Sequence, residues 1–369
     1  MKSRQRLAEA AQRHGLELVG VTSAAPLPEA RRRMRDAVDA GRMARMEWMG
    51  GERPEIATDP ARHDPAARSV IVVAAPYVGA ERDAWDPDSS RLRRALAPVL
   101  GANVAAGDPH GLIARYADGG DYHVGLRARL EALAADLNEQ GLPAGSTAFV
   151  DDRPLAERAL AARAGLGWIG KNANLLTHAR SGSWVFIGAL LSSAELQPDE
   201  PLRTNCGGCT RCLTGCPTGA IVAPGMIDAG RCISYLTIEH PGPLTEVESR
   251  ALGTWIFGCD VCQEVCPVNA EADDPGPLRV PLLPLIEWLL PLGTRACARA
   301  LAGTALTRAG RHRLLRNALT VVGNEGARGP AAPWHAQGLA LAARASHDRR
   351  AEVRSAADGA LAALRVSAG

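Results

Sequence analysis

Apolar residues recur at helical spacing in RQRLAEAAQRHG, which predicts a helix closed by Gly15, and LELVGVT then changes to the pattern of a strand. LPEARRRMRDAVDAG returns to the helical period and stops at Gly41. SVIVVAAPY, residues 69–77, is a short unbroken apolar run rich in β-branched side chains, as in a strand covered on both faces. Residues 79–110 carry turn formers and charge with little periodicity and read as a surface insertion. Order returns with a predicted helix from about Asp121 to Gln140, capped by Gly141. STAFVDD reads as a strand, RPLAERALAARAG as a helix with Pro154 in its first turn and Gly165 at its stop, and GSWVFIGALLSS as a further strand. This succession predicts an α/β layered domain over residues 1–195, with reactive groups at the carboxyl ends of its strands. Asp151 and Asp152 stand at one such end.

Residues 194–205, AELQPDEPLRTN, are polar with two prolines and read as a linker into a cysteine-rich module over residues 196–270. A second Pro-rich joint, ADDPGPLRVPLLP, leads into an α-helical region, residues 271–369, in which GRHRLLRNALTVVGN resembles one helix of a HEAT-type pair. Composition adds three limits. At 369 residues and 46% apolar content the chain can bury a full core. Its formal charge of +2 does not mark the whole chain as a nucleic-acid binder, yet residues 291–369 hold twelve Arg, no Lys and four acids, a local balance of +8. That tail is either a basic face for nucleic acid or a solvated helical surface. The N-terminus lacks the apolar stretch of a signal peptide, and no apolar run approaches the roughly 18 residues of a membrane helix, so a cytoplasmic protein with no membrane partner is expected.

Nine cysteines occur, and eight of them fall between positions 206 and 266. Cys206, Cys209, Cys212 and Cys216, followed by Pro217, form the CxxCxxCxxxCP run of two-cluster ferredoxins, in which three thiolates meet one cubane and the fourth serves another. By that crossover Cys206, Cys209, Cys212 and Cys266 hold one 4Fe-4S cluster, and Cys216, Cys232, Cys259 and Cys262 hold the second. Cys297 is left as a core thiol. Two zinc sites of four cysteines each are the rival, although three cysteines at successive intervals of three and two Cys-Pro endings suit cubanes better. Such a ferredoxin-like module passes single electrons and needs a terminus to deliver them to.

VDDRPLAERALAARAGLGWIGKNANLL, GSWVFIGALL, CGGCTRCLTGCPTGAI, RCISYLTIEH and FGCDVCQEVCPVN, with RYADGGDYH before them and RLLRNALTVVGN after, resemble the epoxyqueuosine reductase family over nearly the whole chain apart from residues 79–110. The resemblance implies an oxidoreductase that reduces epoxyqueuosine at the wobble position of tRNA to queuosine, the last step of queuosine biosynthesis. It implies base-off cobalamin held between the N-terminal α/β domain and the ferredoxin-like module. An external one-electron donor and a tRNA anticodon stem-loop are the implied partners, and nothing requires more than a monomer. The alternative reading is an iron-sulfur electron carrier or corrinoid-activating protein that feeds a partner enzyme. The family's proton donor, the aspartate opening a VDSGP-like motif, falls on Asp151, with Asp152 and Arg153 where the family has Ser and Gly. A carboxyl near a corrin and away from water is expected to hold its proton more tightly, and Asp152 is its neighbouring rival.

Forty of the 42 basic side chains are Arg, and Lys171 is the one internal lysine. A compact ammonium in GWIGKN, between glycines that permit close approach, points to Lys171 and Asn172 as contacts of cofactor or substrate phosphate. Arg53, Ser234 and Asp260 are corrin contacts by family position, while His123 reads as a structural histidine near a helix start. GLGWIG follows a helix rather than a strand, which removes it as a nucleotide loop.

Overall fold

The computed structural model describes residues 2–16, 18–83, 85–145, 147–328 and 332–366, and its packing divides the chain into two units. The first gathers Met1–Ser89, Asp121–Ala229 and Val261–Pro275; the second gathers Ser90–Gly120, Gly230–Asp260 and Gly276–Gly369. Each is built from three stretches, so divisions at residues 195 and 270 do not coincide with the packing. Among the described residues no helix is long and apolar enough to cross a membrane.

The first unit is organised on a four-stranded sheet in the order Leu18–Ser23, Ser69–Pro76, Val185–Ser192, Ala148–Phe149. Every pairing is antiparallel. The unbroken apolar run is the second of these strands, and Val70, Val72 and Ala74 pack with Leu155, Leu160, Ala161 and Ala164 on one face. Val73 points to the other face beside its register partner Gly188, where the helix Tyr122–Glu139 comes so close that a Cβ would meet Leu130 at 2.6 Å. The run therefore reports burial on two faces, as its composition predicts. Strand direction is a separate matter set by the connections, and the parallel sheet usual for α/β layering is replaced by an antiparallel one.

Residues 194–205 are not a free linker. Asp199 N–H donates to Val21 O at 2.9 Å, and the Asp199 carboxylate accepts from Val21 N–H at 2.8 Å and from Arg4 Nε at 3.1 Å. Arg4 Nη2 also donates to Val19 O at 2.8 Å, so the outer rim of the edge strand Leu18–Ser23 is covered.

In the second unit, His110–Ile113 is the middle of a three-stranded sheet, parallel to Trp255–Phe257 and antiparallel to Leu278–Pro281. Two expectations are corrected here. The Pro-rich joint after residue 270 contains a strand, Leu278–Pro281, with Pro275 and Pro277 before it, Pro281 at its end and Pro284 beyond. Residues 79–110 are not a surface insertion: Trp85 is fully buried in the first unit, and Leu92, Leu96 and Val99 are buried in the core of the second with Ile113 and Phe257. Leu92 and Val99 lie in the helices Arg91–Ala95 and Ala97–Leu100 and Leu96 joins them; the helices are about one turn each, too short to print a 3.6-residue period on the sequence.

The helices Gly310–Gly326, His335–Ala345 and Ala351–Val366 pack on one another, with Leu314, Leu319, Val322, Val353 and Leu364 in the same core. Arg316, read as part of a basic face, is fully buried and donates to His240 O at 2.9 Å and Gly242 O at 2.7 Å. Burial pushes its pKa down to about 10. Asn317 Nδ2 adds bonds of 2.8 Å to Thr237 O and Ile256 O. RLLRNALTVVGN is thus a clamp on the carbonyl end of the helix Ile233–Ile238, which starts directly after Cys232. Cys297 is a buried core thiol, its pKa raised by burial.

Leu96→Ala is expected to lower stability by ~2–5 kcal/mol, the usual cost of a large-to-small change in a packed core. Chemical denaturation measures it, and a loss under ~0.5 kcal/mol would mark the segment as surface after all.

Candidate active site and cluster ligands

Four thiols of the first unit are brought together by two short turns. Cys209 N–H donates to Cys206 O at 3.0 Å, closing the first loop, and Cys212 lies in the helix Arg211–Gly215. Cys266 N–H donates to Gln263 O at 3.0 Å just beyond the helix Val261–Glu264, which packs against Arg211–Gly215. Burial pushes the Cys212 thiol up, and the charges of Cys206, Cys266 and Cys209 push it further. Burial also raises Cys266, again with Cys206 and Cys209 adding to it. These are the thiols assigned by spacing to one cubane. Among the described residues no three metal-ligating side chains are gathered tightly enough to hold a single ion.

The other four candidate ligands divide between the units. Cys216 and Cys262 belong to the first. Burial works against the Cys216 thiolate, yet the Thr218 hydroxyl and the amides of Thr218, Ala220 and Ile221 outweigh it and hold this thiol below its ordinary range. Cys232, at the N-cap of Ile233–Ile238, and Cys259, just after Trp255–Phe257, belong to the second unit.

Asp151 follows the two-residue strand Ala148–Phe149 with φ at 56°, left-handed backbone that a non-glycine residue rarely adopts. Residues 150–156 are a loop and the helix begins at Glu157, so Pro154 does not open it. The Asp151 carboxyl is exposed and accepts a 3.0 Å hydrogen bond from the Tyr122 hydroxyl at Oδ2. Tyr122 stacks on Phe186 with centroids 4.0 Å apart and on His123 at 4.1 Å, which fixes the hydroxyl. His123 is itself held by the N-cap Asp121, 2.7 Å from its Nδ1.

Beneath Asp151, its amide donates to Glu157 Oε1 at 3.1 Å. Burial, followed by the neighbouring Asp151 charge, pushes Glu157 up to about 8. Asp152 differs. Burial opposes its ionisation, but Arg127 and the Val150 amide outweigh that and hold its carboxyl below the usual range. Arg127 Nη2 and Asp152 Oδ2 form an ion pair, so Asp152 is a committed carboxylate rather than a rival proton donor.

Comparison with known proteins places the chain in a family. The family model described as epoxyqueuosine reductase QueG, DUF1730 matches residues 58–152, and that for a 4Fe-4S double cluster binding domain matches residues 205–269. An epoxyqueuosine reductase of Xanthomonas campestris pv. campestris is 42% identical over 259 residues, 68% of this chain and 70% of the relative. One of Vibrio cholerae serotype O1 is 35% identical over 324 residues, 84% of this chain and 80% of the relative. The chain belongs to the epoxyqueuosine reductase family. A crystal structure of epoxyqueuosine reductase with an epoxyqueuosine-modified tRNA-Tyr stem loop superposes with a TM-score of 0.81, covering 98% of this chain and 90% of that one at 26% identity. The epoxyqueuosine reductase of Streptococcus thermophilus, 24% identical, shares the fold with a TM-score of 0.80, covering 100% of this chain and 92% of that one. The protein is therefore an oxidoreductase with an iron-sulfur binding domain.

Three residues expected to touch cofactor or substrate are engaged by the protein itself. Lys171 Nζ donates to Gly207 O at 2.8 Å and Cys209 O at 2.9 Å. Asn172, buried, donates through Nδ2 to Cys262 O at 3.2 Å. Asp260, 1% exposed, accepts from Arg115 N–H at 2.8 Å and Arg115 Nη1 at 3.0 Å. All three neighbour cysteine loops, which is why their place in the motifs drew attention to them. Their partners are backbone groups and Arg115, and no spacing in the sequence displays those. Arg53 and Ser234 are different. Arg53 lies over the Trp48 ring at 4.7 Å, and among the described residues neither its guanidinium nor the Ser234 hydroxyl has a hydrogen-bond partner.

Sequence reading missed Tyr122, Glu157 and Arg127. DYH and the LAER of the Asp151 loop were visible as motif letters, but only the fold turns them toward Asp151 and Asp152.

Because folded Glu157 holds its proton more tightly than the unfolded chain does, stability falls as pH rises from its ordinary 4.5 to about 8. Thermal melts across that range are expected to show the wild type losing Tm relative to Glu157→Gln, which keeps the acceptor and cannot ionise. Parallel pH profiles would remove Glu157 from this role.

Proposed function

We propose that this enzyme reduces the epoxide of epoxyqueuosine in tRNA to the alkene of queuosine, in the cytoplasm, using two 4Fe-4S clusters and cobalamin. The observation that carries the reading is that one folded unit, in a chain of this family, holds both four gathered cysteines and a carboxyl presented on left-handed backbone. Converting the epoxide to an alkene takes up two electrons and two protons and releases water.

The donor set suits the clusters: Cys212 and Cys266, which resist ionising, become stable thiolates once metal takes the place of their protons. One cluster is assigned to Cys206, Cys209, Cys212 and Cys266, the other to Cys216, Cys232, Cys259 and Cys262. Bound cobalamin supplies a cobalt centre that collects single electrons for a two-electron bond cleavage. Its polar periphery is assigned to Arg53 and Ser234, whose guanidinium and hydroxyl have no hydrogen-bond partner among the described residues. Asp151 is the proton donor in this reading. Tyr122 holds Oδ2, leaving Oδ1 to carry a proton to the epoxide oxygen, while Arg127 keeps the Asp152 charge turned away.

The tRNA surface is assigned to the second unit. Arg295, Arg299, Arg344, Arg349, Arg350 and Arg365 are exposed and have no ion-pair partner among the described residues, unlike Arg308 and Arg328, which pair with Glu239 and Glu325. Phosphate contacts of this kind position the stem-loop, and the modified base supplies the specificity.

The test is anaerobic incubation with reductant, cobalamin and epoxyqueuosine-containing tRNA, followed by nucleoside analysis. Wild-type protein is expected to convert epoxyqueuosine to queuosine, and Asp151→Asn to lose ~10²-fold or more of the rate. An unchanged nucleoside with the loaded wild type would sink the assignment, and an active Asn variant would remove Asp151. In the same preparation, tRNA affinity is expected to fall steeply with salt, roughly as the number of phosphates neutralised. Binding indifferent to ionic strength would exclude the arginine surface.

A further inference from the structure

The hairpin tip GKNAN, residues 170–174, joins the paired strands Trp168–Ile169 and Leu175–Leu176 and is unusually constrained. Gly170 N–H donates to Asn174 O at 2.8 Å, Ala173 N–H to Gly170 O at 2.9 Å, and Gly225 N–H to Lys171 O at 2.9 Å. Ala173 has φ at 64°, and a Cβ on Gly170 would meet Asn172 Oδ1 at 2.7 Å. Such a tip holds the base of the Lys171 side chain still. From it the ammonium reaches two carbonyls of the first cysteine loop, and Asn172 reaches the backbone of Cys262.

Hydrogen bonding alone does not account for a lysine here. A neutral amide also donates to carbonyls, and the chain uses arginine almost everywhere else. What Lys171 adds is a compact, fixed positive charge on the backbone of the loop that carries Cys206 and Cys209. No carboxylate lies within ion-pairing distance of it among the described residues, so that charge is not cancelled locally. A cubane bound by four thiolates becomes one unit more negative on accepting an electron, and an adjacent cation favours the more negative state.

We propose that Lys171 is a positioning residue that raises the potential at which the cluster on Cys206, Cys209, Cys212 and Cys266 accepts one electron; this rests on the cluster assignment made above. The ammonium tilts that equilibrium toward the reduced cluster and touches neither substrate nor cobalamin. One electron enters from an external one-electron reductant, no proton moves, and the cluster is the only group reduced in the step.

The experiment is an anaerobic redox titration with dithionite, followed by electron paramagnetic resonance, on protein whose iron has been counted. Wild type, Lys171→Met, Lys171→Gln and Lys171→Arg are compared. Gln keeps donors for the two carbonyls without the charge, and Arg keeps the charge. Wild type is expected to show two reduction steps. In Met and Gln one step moves to lower potential by at least tenfold in the reduction equilibrium, ~59 mV for one electron, while the other stays. Arg remains within about threefold of wild type, or ~28 mV.

Equal potentials in wild type and either neutral variant, at full iron content, would overturn the proposal. Loss of the cluster from both neutral variants would overturn it as well, leaving Lys171 a loop staple only. Wild-type protein without two clusters is a different failure, since it removes the cluster assignment itself.

Discussion

The gathering of half-buried sulfurs is the constraint on which the cysteine loops of the first unit depend. Two short turns and two packed helices bring Cys206, Cys209, Cys212 and Cys266 together; burial opposes ionisation of Cys212 and Cys266, and the neighbouring Cys206 and Cys209 charges add to the cost. Left as thiols these groups are inert, and left as thiolates they destabilise the loops that hold them. A metal cluster resolves the conflict, because it replaces protons with positive charge at the point where the loops converge. Around that point the protein has placed further compensation: an ammonium on the backbone of one loop, an amide on the backbone of the other, and a hydroxyl beside Cys216.

Asp151 is treated in a contrasting way. Its carboxyl is exposed, one oxygen is held by a tyrosine fixed between two rings, and its backbone amide rests on Glu157. Left-handed backbone at a non-glycine residue costs of order 1–3 kcal/mol, so the loop must be held by its neighbours. The Glu157 bond and the paired Asp152 beside it perform that task. The two neighbours of Asp151 have opposite electrostatic fates: Glu157 keeps its proton and Asp152 gives its proton up. One acidic loop thereby avoids gathering three negative charges around Asp151.

Much of this was legible in the sequence where the signal is local. Eight cysteines at ferredoxin spacing, the apolar run at residues 69–77 and the long helix ending near Gly141 announce themselves within a few residues of chain. Contacts between distant stretches were not legible. Leu92 and Val99 belong to helices of one turn and Leu96 to the joint between them, so their burial left no period to read. Lys171 and Asp260 were singled out for good reason, being charged and next to cysteine loops, but their partners lie 36 and 145 residues away. Arg316 looked like surface charge because nothing in RLLRN distinguishes an arginine that faces phosphate from one that binds three carbonyls. The antiparallel sheet escaped for a similar reason, since an apolar run records what covers a strand and not which way its neighbours travel.

The stitching of Asp199 and Arg4 along the strand Leu18–Ser23 has a consequence for behaviour in a crowded solution. A bare sheet margin is a template on which another copy of the chain can extend the ladder, and such growth has no natural end. By filling that margin with a carboxylate, a guanidinium and a stretch of its own backbone, the protein denies the template to its siblings. The segment that connects the sheet to the cysteine loops thus also guards against fibre-like association.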